Sequence, residues 1–140
     1  MDSALTSELN ESIVSTCRTG LGDELRSVVY FTPETFDLLY LRQDLYDDER
    51  TARTVKAALV ENERLEVWPD DPYVTHLHDD DLSPGFGDYE FTVRVFSGGF
   101  ASRVATGGHG VIVTTDELDA RALEVVAVSV RKLLDDSAPN

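Results

Sequence analysis

"RSVVYFTPETFDLLYLR", residues 26–42, decides the fold. Its opening run, RSVVYFT at 26–32, is rich in β-branched and aromatic residues. Pro33-Glu34-Thr35 interrupts it, and FDLLYLR follows at 36–42. Two short β-prone runs around a Pro-led turn predict an antiparallel hairpin. The competing reading puts residues 36–42 in a helix, and that outcome would dismantle the architecture that follows from the hairpin.

Before the hairpin, Leu5, Leu9, Ile13 and Cys17 recur every fourth residue among Ser, Glu and Asn. That spacing predicts an amphipathic helix, ended by Gly20 and Gly22. After the hairpin a second helix is expected over residues 46–62. Ala52, Val55, Leu59 and Asn62 lie on one side of it, and Glu49, Arg53, Lys56 and Glu63 on the other. Residues 66–87 contain Pro69, Pro72, Pro84 and repeated aspartates, and predict a long acidic loop.

YEFTVRVF (89–96) then alternates cleanly, with Tyr89, Phe91, Val93 and Val95 to one side. It predicts a strand at a sheet edge, with Thr92 and Arg94 outward. Ser97-Gly98-Gly99 is a tight turn, FASRVAT (100–106) the return strand, and Gly107-Gly108-His109-Gly110 a second turn. VIVTT (111–115) is nearly continuous in apolar and β-branched residues, as a central strand is. Thr114 with Glu117 offers a capping box for a last helix over 116–135. Its stripe is Leu118, Ala122, Val125, Val126, Ser129 and Leu133, widened by Leu123, Val128 and Val130. The residues DDSAPN at 135–140 read as a polar tail. The expectation is one α+β domain over 1–140, in α-β-β-α-β-β-β-α order. A single five-stranded antiparallel sheet has one face packed by the terminal helices.

Charge narrows the partners. The 140 residues hold 27 Asp or Glu against 12 Lys or Arg, a net charge of -15. Nucleic acid and anionic membranes carry the same sign, so neither is an expected partner. Only Lys56 and Lys132 are lysines. Acid excess, scarce lysine and small residues in the strands resemble proteins of halophilic archaea, whose hydrated acidic surfaces suit salt-screened surroundings. No basic-then-apolar leader is visible in MDSALTSELNES, and no apolar run is long enough for a bilayer. A cytoplasmic protein is expected.

THLHDDD at 75–81 is the most chemical-looking stretch. His76 and His78 point the same way in an extended chain and could share a metal ion, with Asp79, Asp80 or His109 completing the set. Aspartate pairs recur at 47, 70, 79 and 135, however, so a solvated acidic loop is the expected reading. His109 within GGHG could be a general base; a hairpin residue tolerating an unusual backbone is expected instead. Cys17, the sole cysteine, falls on an apolar stripe and reads as a small core hydrophobe. There is no G-x-S-x-G and no phosphate-loop lysine. Neither a catalytic set nor a cofactor is expected.

The succession of elements resembles the roadblock/light-chain-7 and profilin-like group, whose relatives include GAF-like and PAS-like sensors. The likeness is one of element order over nearly the whole chain. FDLLYLR, YEFTVRVF and HGVIVTTDE also resemble a family of small haloarchaeal proteins that carries no assigned activity. In roadblock-like proteins the second helix and the adjacent edge strand pair two subunits. The resemblance therefore implies a dimer seam at Val55, Leu59, Phe91, Val93 and Val95. A non-enzymatic interaction or regulatory module, homodimeric and acting on a protein partner, is the expected function. The alternatives are a PAS- or GAF-type small-ligand sensor with a pocket under the long loop, and a metal-binding protein using His76, His78 and His109.

Overall fold

Residues 36–42 hold no helix. In the computed structural model, β1 (Leu25–Phe31) and β2 (Phe36–Leu41) pair antiparallel, with Phe31 opposite Phe36. Thr32 closes the turn between them. Its N–H donates to the Thr35 carbonyl at 2.9 Å, and its Oγ1 accepts from the Thr35 N–H at 3.0 Å. Pro33 sits outside the ladder, where a missing N–H removes no strand bond.

The structure describes residues 3–43, 48–68, 85–87 and 89–137. Around the hairpin lie α1 (Ser3–Leu21), α2 (Glu49–Val67), β3 (Thr92–Phe96), β4 (Gly99–Thr106), β5 (His109–Thr115) and α3 (Ala120–Asp136). A single 3-10 turn, Gly22–Glu24, joins α1 to β1. The sheet order is β2-β1-β5-β4-β3, every pairing antiparallel. The near-continuous strand β5 is central and all seven of its residues are buried. The acidic stretch 69–84, with His76 and His78, and residues 138–140 of the polar tail lie outside the described residues.

Two apolar clusters hold three layers together. On one face Leu9, Ile13 and Cys17 of α1 meet Val28, Val111 and Val113 of the sheet and Val126, Val130 and Leu134 of α3. Gly20 does not end α1 as expected. The helix continues to Leu21, and a Cβ at Gly20 would strike Val126 Cγ2, so this glycine lets α1 and α3 approach closely. Gly22, with φ +57°, is the residue that turns the chain out of the helix. On the opposite face Val29, Phe31, Ala101 and Ile112 pack under Val60, Leu59 and Trp68 around α2.

Both later helices depart from their expected faces. β5 extends to Thr115 because β1 and β4 pair with it on both sides, so Thr114 is a strand residue and no cap. Asp119 caps α3 instead, accepting from the Ala122 N–H at 3.1 Å. The buried row of α3 is Leu123, Val126, Ala127, Val130 and Leu134, while Leu118, Val125 and Val128 are exposed. Asp135 and Asp136 complete α3 and do not begin a tail. Helix α2 starts at Glu49, capped by Asp48, and its last turn takes in Glu66 and Val67 from the expected loop.

Candidate interaction surface

The sequence pattern of α2 sets Lys56 and Glu63 on its solvent side. The structure buries both, at 4% and 2% exposure, together with Ala52 and Val60, while Val55 is 44% exposed. The cause is the sheet beneath. Its α2-facing side is polar along β3 and β4, so charged residues there find charged partners. Glu63 accepts from Arg103 Nη1 at 2.8 Å and from Arg94 Nε. Glu66 accepts from Arg94 Nη2 at 2.6 Å and Arg103 Nη1 at 2.8 Å. Arg103 also donates to Thr92 Oγ1 at 3.0 Å. Arg94 and Thr92, expected to point outward from an edge strand, therefore point toward α2. Hydrogen bonds donated to Glu63 and then Glu66 hold the Arg94 guanidinium firmly protonated. A buried charge without such partners would be strongly disfavoured.

This network ties α2 to β3, and β3 is an edge strand, as the alternating pattern predicts. Among the described residues β3 has a neighbour on one side only. Strand alternation divides the expected seam between the two faces of the sheet. Phe91 packs into the α1/α3 cluster, and Val93 and Val95 share its side, with Val95 72% exposed. Val55 and Leu59 lie on the α2 side. Phe96, 53% exposed and absent from the expected seam, joins them there. The five candidates thus frame the β3 edge from above and below.

Between α2 and the β3–β4 turn lies a cavity of about 550 Å³, lined by Arg26, Val55, Lys56, Leu59, Phe96 and Thr114 among others. Burial, and then the nearby Arg26 charge, bring the Lys56 ammonium down from 10.5 to about 8. Arg26 is anchored by Asp116 Oδ1 at 2.8 Å. Asp116 also takes Arg42 Nη1 at 2.6 Å, and these two guanidinium groups, Arg42 before Arg26, hold its carboxyl at about 2.

His109 is no turn residue. It opens β5, fully buried, and the positive φ of the turn belongs to Gly107 at +62°. Its Nε2 lies 2.8 Å from the Leu134 carbonyl, which can only accept, so Nε2 carries the proton. Nδ1 then accepts from the Tyr30 hydroxyl at 2.8 Å. Burial lowers its pKa, and the neutral ring pins the end of α3 to the sheet. Both nitrogens are engaged, and His76 and His78, which complete the alternative metal-binding reading, are not among the described residues. No group of three or more His, Cys, Asp or Glu able to hold a metal occurs among the described residues. Cys17 is sealed in the core, its thiol pushed up to about 12 by burial.

The family described as Domain of unknown function (DUF7522) matches residues 11–135. The chain belongs to this family. No curated protein matches it in sequence. Among solved structures, this DUF7522 chain is similar to the gliding protein MglB from Thermus thermophilus, at 11% identity and a TM-score of 0.51. The similarity covers 91% of this chain and 92% of that one. At that identity the likeness is one of fold, and the fold is roadblock-like, in agreement with the element order read from the sequence. No helix among the described residues is long and apolar enough to cross a membrane.

Proposed function

We propose that this DUF7522 chain is a non-enzymatic interaction module that works as a homodimer, regulating a protein partner in a salt-rich cytoplasm. The observation that carries the reading is the β3 edge, which ends in exposed Val95 and Phe96 beside exposed Val55 of α2. An edge strand with apolar ends invites a neighbour, and a second copy of the same strand satisfies its ladder. The Glu63–Arg94–Arg103 network supports this by making α2 and β3 one rigid unit. The net charge of -15 and the two lysines support salt-rich surroundings. Two such acidic chains repel at low ionic strength, whereas at molar salt the screening length falls to about 3 Å.

Light scattering across a potassium chloride series tests the reading. A mass of twice 15.5 kDa that grows in with salt is expected. Val95→Asp should return the molecule to a monomer, because it buries a charge in the seam. A chain that stays monomeric throughout the series removes the dimer from the proposal.

A further inference from the structure

The outer face of α3 carries more than the fold asks of it. Val126, Ala127, Val130 and Leu134 fasten the helix to the sheet and to α1. On the opposite side Arg121, Val125, Val128 and Lys132 follow one another at spacings of four, three and four, all exposed. That is the spacing of a helix seam, in which each side chain seats among those of a facing helix. Val125 is 60% and Val128 57% exposed. Valine loses side-chain freedom in a helix, so at these positions alanine would serve the fold better.

The charges at the two ends of the valine pair run against the composition. Acids outnumber bases 27 to 12 in the sequence. Among the described residues, Arg121 and Lys132 nevertheless form no ion pair. Glu124 is the one carboxylate between them. Arg131 adds a third cation, donating to the Glu90 carbonyl. At the helix ends, Asp119 accepts from the Ala122 N–H and Asp135 from the Thr106 hydroxyl.

We infer that this face docks an acidic amphipathic helix of a protein partner. Its apolar stripe lies over Val125 and Val128, with a carboxylate at each end against Arg121 and Lys132. The two cations are eleven residues apart, about 16 Å along the axis, so the occupant needs about three turns of helix. A second copy of α3 fits poorly. A twofold antiparallel pairing that stacks Val125 on the other copy's Val128 sets Arg121 against Lys132. An anionic bilayer fits no better, because the chain carries a net charge of -15. The inference rests on the reading of this chain as an interaction module and names its partner's chemistry. The face is complete within one chain, so it does not depend on the dimer.

The probe is a capped helical peptide of about 18 residues, with leucine at its seam positions and glutamate beside them. Its counterpart has lysine in place of glutamate. Valine methyl signals of the full chain, labelled with carbon-13, are followed through titrations with each peptide in molar potassium chloride. There charges act over about 3 Å only, so the overall charge of the chain does not choose between the probes. Val125→Ala and Val128→Ala assign the two signals. The glutamate peptide is expected to move both saturably and to bind about fivefold more tightly than the lysine peptide, the scale of two exposed ion pairs. Arg121→Glu with Lys132→Glu should reverse that order, and removing both valines should abolish binding of either peptide. Equal midpoints for the two peptides overturn the inference, as does no response at Val125 and Val128 to millimolar glutamate peptide. Val125 and Val128 signals that move on dilution of the chain alone give the face to a second copy and overturn it as well. Light scattering on the same samples keeps the two readings apart. A salt-induced dimer that ignores the peptide strikes only the α3 face, whereas a monomer that binds it strikes only the dimer.

Discussion

Gly110 is a residue where one methyl group decides the packing. A Cβ there would lie 2.8 Å from the Phe31 ring and 3.0 Å from the Val104 carbonyl oxygen. Both neighbours are in the sheet and cannot give way cheaply, so Gly110→Ala should cost about 2 kcal/mol. A urea titration would register this as a lower midpoint at unchanged slope. Its neighbour His109 shows where residue-level reading of the sequence stops. Gly-Gly-His-Gly has the composition of a turn, but the register pairs Thr106 with His109, leaving only Gly107 and Gly108 to turn. The partners that fix His109, Tyr30 and Leu134, are 79 and 25 residues away, and no local pattern announces them. Cys17 was readable because its spacing with Leu9 and Ile13 places it on a core-facing stripe.

At the scale of elements, strands were more legible than helix faces. The hairpin, the central β5 and the edge β3 follow from runs and alternation that depend on near neighbours. Helix α2 defeats the same logic because its buried face carries charge, and charge reads as solvent exposure unless a partner is known. Removing that partner shows the cost. Glu63→Ala leaves the nearly buried Arg103 with Glu66 as its remaining acid and should destabilise by about 3 kcal/mol. Glu66→Ala, at a site open to water, should cost about 1 kcal/mol or less. Denaturant midpoints of the two variants side by side check the contrast, and equal losses would deny that burial sets the difference. Asp116 is the corresponding clasp at the other end of the sheet, joining β1 to the residue after β2. Its carboxyl is held at about 2 against an ordinary 3.8, so its stabilisation is present above the ordinary value and is lost as pH falls toward 2. The stability gap between the native chain and Asp116→Asn should therefore be constant near neutrality and close between about pH 4 and pH 2.

For the whole molecule, element order gave the roadblock-like architecture, while charge balance yields an expectation about partners and no more. Three-dimensional juxtaposition added the rest: the five residues of the expected seam fall on two faces of the sheet, and side chains from α2 and β1 meet at one cavity. The cavity lies along the side of α2 that faces the β3–β4 turn, so any partner that covers Val55 and Phe96 also meets its mouth. The sealed position of Cys17 has a practical consequence. A thiol reagent can reach that sulfur only when the helices part from the sheet, so its labelling rate reports how often the core opens. If hydrated acidic surface favours the closed form at high ionic strength, labelling should slow steadily as potassium chloride is raised. A rate indifferent to salt would indicate that the fold needs no brine to stay shut.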